Sequence, residues 1–170
     1  MVKLKKLTSA GILTALSVVL SAFYIPVGAS KCFPVQHAVN VIAGVLLGPW
    51  YAVAMAFCTS LIRNLLGTGS LLAFPGSMIG AALCGLCYKY GKKLWLAFLG
   101  EVIGTGVIGG IAAYPVAAYL MSKQAALFAY VLPFIVSSFG GALISVIFIY
   151  ALEKTKVLDM IKTAIPANGK

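Results

Sequence analysis

The sequence predicts an all-α membrane protein, a bundle of six transmembrane helices with both termini on the cytoplasmic side. Three observations predict it. The chain of 170 residues is 62% hydrophobic with only three acids, and its mean hydropathy is +1.05. Glycine and proline separate its apolar segments, and its lysines fall mainly on alternate connections. No polar segment is long enough for a soluble domain, so we expect residues 1–170 to form a single integral membrane domain.

Apolar runs and the breakers between them give the elements in order. Helix 1 follows the basic start MVKLKK and ends before Pro26. Helix 2 is short and closes at Gly48, helix 3 ends before Gly67, and helix 4 ends before Gly91. Helices 5 and 6 are the longest apolar runs. The predicted spans are residues 7–25, 36–47, 51–66, 70–88, 94–121 and 125–152, with a basic tail at 153–170.

The distribution of positive charge predicts the orientation. One set of connections and the two ends carry Lys3, Lys5, Lys6, Lys89, Lys92, Lys93, Lys154, Lys156, Lys162 and Lys170. The other set carries Lys31, Arg63 and Lys123. Because cytoplasmic loops collect Lys and Arg, the first set is expected inside. The net charge of +10 therefore indicates membrane orientation, and we expect no nucleic-acid partner.

The first polar cluster, SKCFPVQHAVN, lies before and within helix 2. Gln36 and Asn40 are four residues apart, and His37 and Asn40 are three apart, so the side chains meet on one helical face. Polar groups at membrane depth are costly and usually functional. The two amides and the imidazole supply hydrogen-bond donors and acceptors suited to a small heterocycle. The alternative is that these groups cap helix 2 and bond to a neighbouring helix.

A lid is predicted beside this cluster. The segment from Gly28 to Val35 is short and must cover an outward cavity. The residues predicted to form this lid are Ser30, Lys31, Phe33 and Pro34.

The second polar cluster, RNLLGTGS, ends helix 3. Arg63 is either an interface anchor or a donor to the ligand, and Asn64 is a ligand candidate if helix 3 turns it inward. Phe74 could stack on a flat ring at the start of helix 4. Glu101 needs a partner or a proton at its depth in helix 5, and it contacts either the ligand or a neighbouring helix. The candidate set also contains Ser77 and Tyr130.

Helix 1 carries a stripe of small residues that could dock a separate membrane protein. The stripe is expected to contact this partner through Gly11, Ala15 and Ala22. Enzyme signatures are missing, with no H-E-x-x-H, Walker A or Ser-His-Asp set, so we expect no catalytic site and no cofactor. The Cys84–Cys87 pair lacks further zinc ligands, and no metal site is predicted.

The segments VGASKCFPVQHAVNVIAGVLLGPWYA and RNLLGTGSLLAFPGS resemble the ThiW family of substrate-binding S components of energy-coupling factor (ECF) vitamin transporters. The resemblance extends from helix 1 through helix 5. It implies the six-helix S-component bundle, a thiamine precursor, hydroxyethylthiazole, as ligand, and a prokaryotic plasma-membrane location. It also implies a transmembrane coupling subunit docked on helix 1 and two ATPase subunits that supply energy. The usual A-x-x-x-A pair reads Gly11 and Ala15 here.

Two alternatives remain open at this point. One is an S component for another vitamin, such as thiamine, or for a metal ion, although metal-binding side chains are scarce. The other is a structural or regulatory membrane protein without a ligand.

Overall fold

The structure, a computed structural model, describes residues 2–27, 30–124 and 126–165. These residues form seven helices and one antiparallel two-stranded hairpin. The helices are α1 Val2–Leu20, α2 Pro34–Leu46, α3 Pro49–Leu65, α4 Ala73–Gly91, α5 Leu94–Leu120, α6 Val131–Lys154 and α7 Val157–Ala164. The strands, β1 Ile25–Val27 and β2 Ser30–Cys32, connect α1 to α2.

The predicted all-α class is confirmed, and the main differences lie at the helix ends. Helix α1 begins at Val2, before the predicted first span of 7–25, and ends at Leu20, and residues 25–27 pair with residues 30–32 as strands. The predicted start of the last span, Ala125, lies outside the described residues, and α6 begins at Val131. Part of the predicted tail is the helix α7, and residues 166–170 lie outside the described part.

Proline and glycine set several of these boundaries. Pro34 and Pro49 occupy the first turns of α2 and α3, where a missing N–H costs nothing. Gly67 follows α3 with φ of 71°, a left-handed conformation that glycine adopts readily and that ends helices. Helix α5 continues through two π-helical stretches, Val102–Gly109 and Val116–Leu120, and so reaches spanning length.

Two helices among the described residues, Leu94–Leu120 and Val131–Lys154, are long and apolar enough to cross a membrane. Helix α2 is apolar but shorter. Large apolar side chains, among them Leu143, Ile144 and Ile147, are exposed along α6, as expected for contact with lipid. Six spans and two cytoplasmic termini remain predictions.

Helices α4 and α5 pack backbone against backbone through glycine. A Cβ atom placed on Gly104 would lie 2.8 Å from the Cα of Gly80, and one on Gly100 would lie 2.9 Å from the Cα of Cys84. Small residues permit such close approach between helices. Gly100 and Gly104, which form a G-x-x-x-G pair on α5, therefore make internal contacts that fix how α4 and α5 are rotated towards each other.

Helix α2 lies at the centre of the bundle. Val39 and Ala43 belong to a core cluster with residues of α1, α3 and α4. Val41 and Val45 belong to a second cluster with residues of α4 to α7. Because α2 is surrounded, its polar side chains must find partners inside the protein.

Candidate functional site

A cavity of about 920 Å³ lies at one end of the bundle, where β2, the α3–α4 connection and the α5–α6 connection meet. Both polar clusters contribute to it. Seven of the residues singled out in the sequence line the cavity: Lys31, Phe33, Gln36, His37, Arg63, Ser77 and Tyr130. Asn40, Asn64, Phe74 and Glu101 are outside this lining, as is Pro34.

The buried carboxyl of Glu101 holds the imidazole of His37 from beneath the cavity. His37 Nδ1 lies 2.8 Å from Glu101 Oε1, and the structure gives His37 Nε2 no hydrogen-bond partner among the described residues. The same Oε1 accepts from Asn40 Nδ2 at 3.3 Å and from the Thr105 hydroxyl at 3.0 Å. The cluster thus fixes one ring nitrogen and leaves the other for a ligand.

Asn40 and Gly80 lie beside the Glu101 carboxyl: Asn40 hydrogen-bonds to it, and Gly80 leaves space for it. Asn40 is fully buried, and its amide nitrogen also lies 3.1 Å from the Ser77 hydroxyl. A Cβ on Gly80 would overlap the Thr105 hydroxyl and lie 3.0 Å from both carboxyl oxygens of Glu101. Asn40 Oδ1 and Glu101 Oε2 have no hydrogen-bond partner within the described residues. Asn40 therefore acts on the cavity through Ser77 and Glu101.

A second set of hydrogen bonds joins the two polar clusters. Gln36 Nε2 donates to the Ser77 hydroxyl at 2.9 Å and to the Ser60 hydroxyl at 3.3 Å. Gln36 Oε1 accepts a hydrogen bond from Arg63 Nη1. The cavity wall is therefore one connected network across α2, α3 and α4, in which each polar group positions the next.

Arg63 is buried at the end of α3, with 1% of its surface exposed. Its Nη2 donates to the carbonyl oxygen of Thr68 at 3.2 Å. Its guanidinium carbon lies 3.8 Å from the centre of the Phe33 ring, within the range of a cation–π contact. Arg63 is therefore part of the cavity wall, and its burial does not fit an anchor that reaches the headgroups.

Asn64 and Phe74 take other roles in the structure. Asn64 Nδ2 donates to the carbonyl oxygens of Ser60 at 2.7 Å and Ser70 at 3.0 Å, so it fastens the α3–α4 connection. The ring of Phe74 packs against Phe57, with 5.7 Å between ring centres.

The segment predicted as a lid is tethered to α6. The backbone N–H of Phe33 donates to the Ser137 hydroxyl at 2.8 Å, and the Cys32 thiol donates to the carbonyl oxygen of Pro133 at 3.2 Å. Gly28 lies outside the described residues. Ser137 also lines the cavity.

Sequence reasoning missed several lining residues, including Thr68, Thr105, Lys123, Gln124 and Ser137. Thr105 lies four residues after Glu101 on α5, a spacing that places both on one helical face and could have identified it. Thr68 belongs to the second polar cluster but was not selected within it, and Lys123 was assigned only to the charge distribution. Gln124 lies in a connection and Ser137 in an apolar helix, where no spacing signal exists.

The small-residue stripe of α1 faces outward. Gly11 and Ala15 are exposed on α1, and Ala22 is exposed just after its end at Leu20. No atom lies within 4 Å of a Cβ placed on Gly11. A different face of α1, which includes Ala10 and Thr14, is buried against the bundle.

Comparison with known families gives one finding. A family model described as thiamine-precursor transporter protein (ThiW) matches residues 7–155. This range covers most of the chain and every residue that lines the cavity. No curated protein matches the chain.

Proposed function

The chain belongs to the ThiW family of thiamine-precursor transporter proteins, and on this basis we propose that it is the substrate-binding S component of an ECF transporter for hydroxyethylthiazole. The family makes it a membrane transport component with a small-molecule substrate, and it supports a non-enzymatic role. The observation that carries the finer proposal is the cavity of about 920 Å³ lined by both polar clusters. A concave site with a few convergent polar groups is typical of small-ligand binding.

The residues of the cavity supply the contacts that this ligand requires. Phe33 and Tyr130 are aromatic lining residues that can pack on a flat thiazole ring. His37, Gln36 and Ser77 offer polar atoms for the ring nitrogen and the alcohol. We propose these five residues as direct contacts. Asn40 and Glu101 are proposed as supports, since each holds a lining side chain from behind.

The transport role predicts the membrane topology of the chain and its partner subunits. We propose six spans with both termini cytoplasmic, which places the cavity on the outer side of a prokaryotic plasma membrane. The chain has no ATP-binding motif, so energy would come from two ATPase subunits through a transmembrane coupling subunit. The exposed stripe of α1 is the proposed contact with that coupling subunit, because small residues allow close helix approach.

Purified protein is expected to bind hydroxyethylthiazole without a partner subunit or ATP, as measured by titration calorimetry. Ser77→Ala should weaken binding by about tenfold, since removing one polar partner in a buried site costs roughly 1–1.5 kcal/mol. Ser145→Ala is the matched control, because Ser145 is buried on α6 outside the cavity lining. No thiazole binding, alongside tight binding of another vitamin, would overturn the substrate.

Ala15→Leu or Gly11→Leu is expected to leave ligand binding intact and to abolish uptake by cells. A bulky side chain on the exposed stripe would prevent close approach of the coupling subunit. Ala54→Leu is the matched control, because Ala54 is exposed on α3, away from the stripe. Normal uptake by both stripe variants would show that the coupling surface lies elsewhere.

A further inference from the structure

The cavity contains positive charge without negative charge. Lys31, Arg63 and Lys123 are in its lining, and no acid is. The chain has three acids in all. Glu101 is fully buried behind His37, Glu153 lies at the far end of α6, and Asp159 lies in α7. Among the described residues, no carboxylate lines the cavity, and the one behind its wall, Glu101, contacts His37 and not the three cations.

Burial of Arg63 makes the uncompensated positive charge of the cavity energetically costly. Arg63 is almost fully buried, and both of its terminal nitrogens bond to neutral acceptors, Gln36 Oε1 and the carbonyl oxygen of Thr68. Its Nε has no partner among the described residues. Among those residues, the contact within 4 Å between a basic side chain and a carboxylate joins His37 to Glu101, and Arg63 has no carboxylate partner. A buried charge is stable only when an opposite charge and hydrogen bonds compensate it, and here the hydrogen bonds are present without the opposite charge.

The two lysines come from different connections. Lys31 lies on β2, with its ammonium 4.4 Å from the centre of the Tyr24 ring. Lys123 follows α5, and its backbone N–H donates to the carbonyl oxygen of Ala117. With Arg63 from the end of α3, three cations reach the cavity from three parts of the chain. A cleft lined by one sign of charge concentrates ligands of the opposite sign.

We propose that the ligand is an anionic thiazole, one that carries a phosphate monoester or carboxylate whose oxygens meet Arg63, Lys31 and Lys123. This inference rests on the proposed function and specifies the substrate class within it. The alcohol of hydroxyethylthiazole is the position at which a phosphate would be attached. Guanidinium and ammonium groups are the side chains that best bind such oxygens. The ring would then lie deeper, against His37 and Gln36. Thiamine, a cation, is disfavoured by the same charges.

The test compares hydroxyethylthiazole with its phosphate monoester by calorimetry on the purified full chain in a neutral detergent. The ester is expected to bind tighter by about tenfold or more, because hydrogen bonds to charged groups exceed neutral ones. Added salt should reduce this advantage. Lys123→Gln should weaken ester binding several-fold more than it weakens binding of the alcohol, so that the ratio of the two affinities falls. Lys154→Gln, at the far end of α6, should change neither. Lys123 is exposed, so this variant tests the inference even if Arg63 variants fail to fold.

The outcomes separate the inference from the function on which it rests. If the alcohol binds as well as or better than the ester, the anionic ligand is overturned and the proposed function stands. If neither compound binds, both are overturned. If phosphatidylglycerol in the micelle removes the advantage of the ester while a neutral lipid does not, the cations bind a lipid headgroup, and the anionic ligand is again overturned.

Discussion

His37→Leu is expected to lower the free energy of unfolding by about 3 kcal/mol, the upper end of the cost of leaving a buried polar group without its hydrogen-bond partner. The carboxyl of Glu101 is fully buried, and His37 Nδ1 is its closest hydrogen-bond partner, at 2.8 Å. Without the imidazole, Glu101 keeps only the amide of Asn40 and the hydroxyl of Thr105 at the same oxygen. Reversible unfolding in mixed micelles measures the change.

A double-mutant cycle distinguishes this coupling from simple loss of packing. Glu101→Leu should also destabilise the protein, since it leaves His37 buried without its partner. His37→Leu with Glu101→Leu should cost less than the sum of the single variants, because neither polar group is then left alone. Thr155→Ala serves as a control, because its hydroxyl is exposed. Strictly additive losses would show that the two side chains contribute independently.

Gly104→Leu is expected to destabilise the bundle by about 3 kcal/mol, the upper end of the usual cost of overpacking. Its first side-chain carbon would lie 2.8 Å from the Cα of Gly80 and 3.1 Å from the carbonyl oxygen of Ile79. Both are backbone atoms, so α4 and α5 would have to separate. That movement would also pull Ser77 away from the groups on α5 that support the cavity, and ligand affinity should fall with stability.

Gly11→Leu is the matched control for this prediction. It makes the same substitution in another helix, α1, at a position with no atom within 4 Å of the new Cβ. We expect its unfolding free energy to be near that of the parent protein. Equal destabilisation of both variants would mean that the cost arises from loss of glycine as such, and not from the contact between α4 and α5.

Much of the fold could be predicted from the sequence because its signals are local. Apolar runs require helices, since backbone groups in a bilayer must bond within their own segment. The breakers around Pro34, Gly48 and Gly67 gave the ends of α2 and α3 to within a few residues. The sequence analysis missed the short hairpin because Ile25–Val27 continues an apolar run that predicts a helix.

The candidate site was predicted in part. The two polar clusters identified Gln36, His37 and Arg63, which line the cavity, because such side chains are costly in a membrane unless they have a role. Their binding roles stay predictions. The same reasoning also selected Asn64, whose side chain bonds to its own connection. Phe74 was selected as an aromatic that could stack on a ligand ring, and its side chain contacts the ring of Phe57.

The sequence by itself determined the helical class, the membrane character and the small set of polar residues from which a site could be built. The tertiary structure alone decided that Glu101 meets His37, 64 residues away, and that the cavity holds three cations without an acid. The physical reason is that lipid and protein core are equally apolar, so an apolar helix such as α6 shows no polar face that fixes its rotation. Backbone contacts such as Gly104 on Gly80 set that rotation, and they become visible only when the helices are packed.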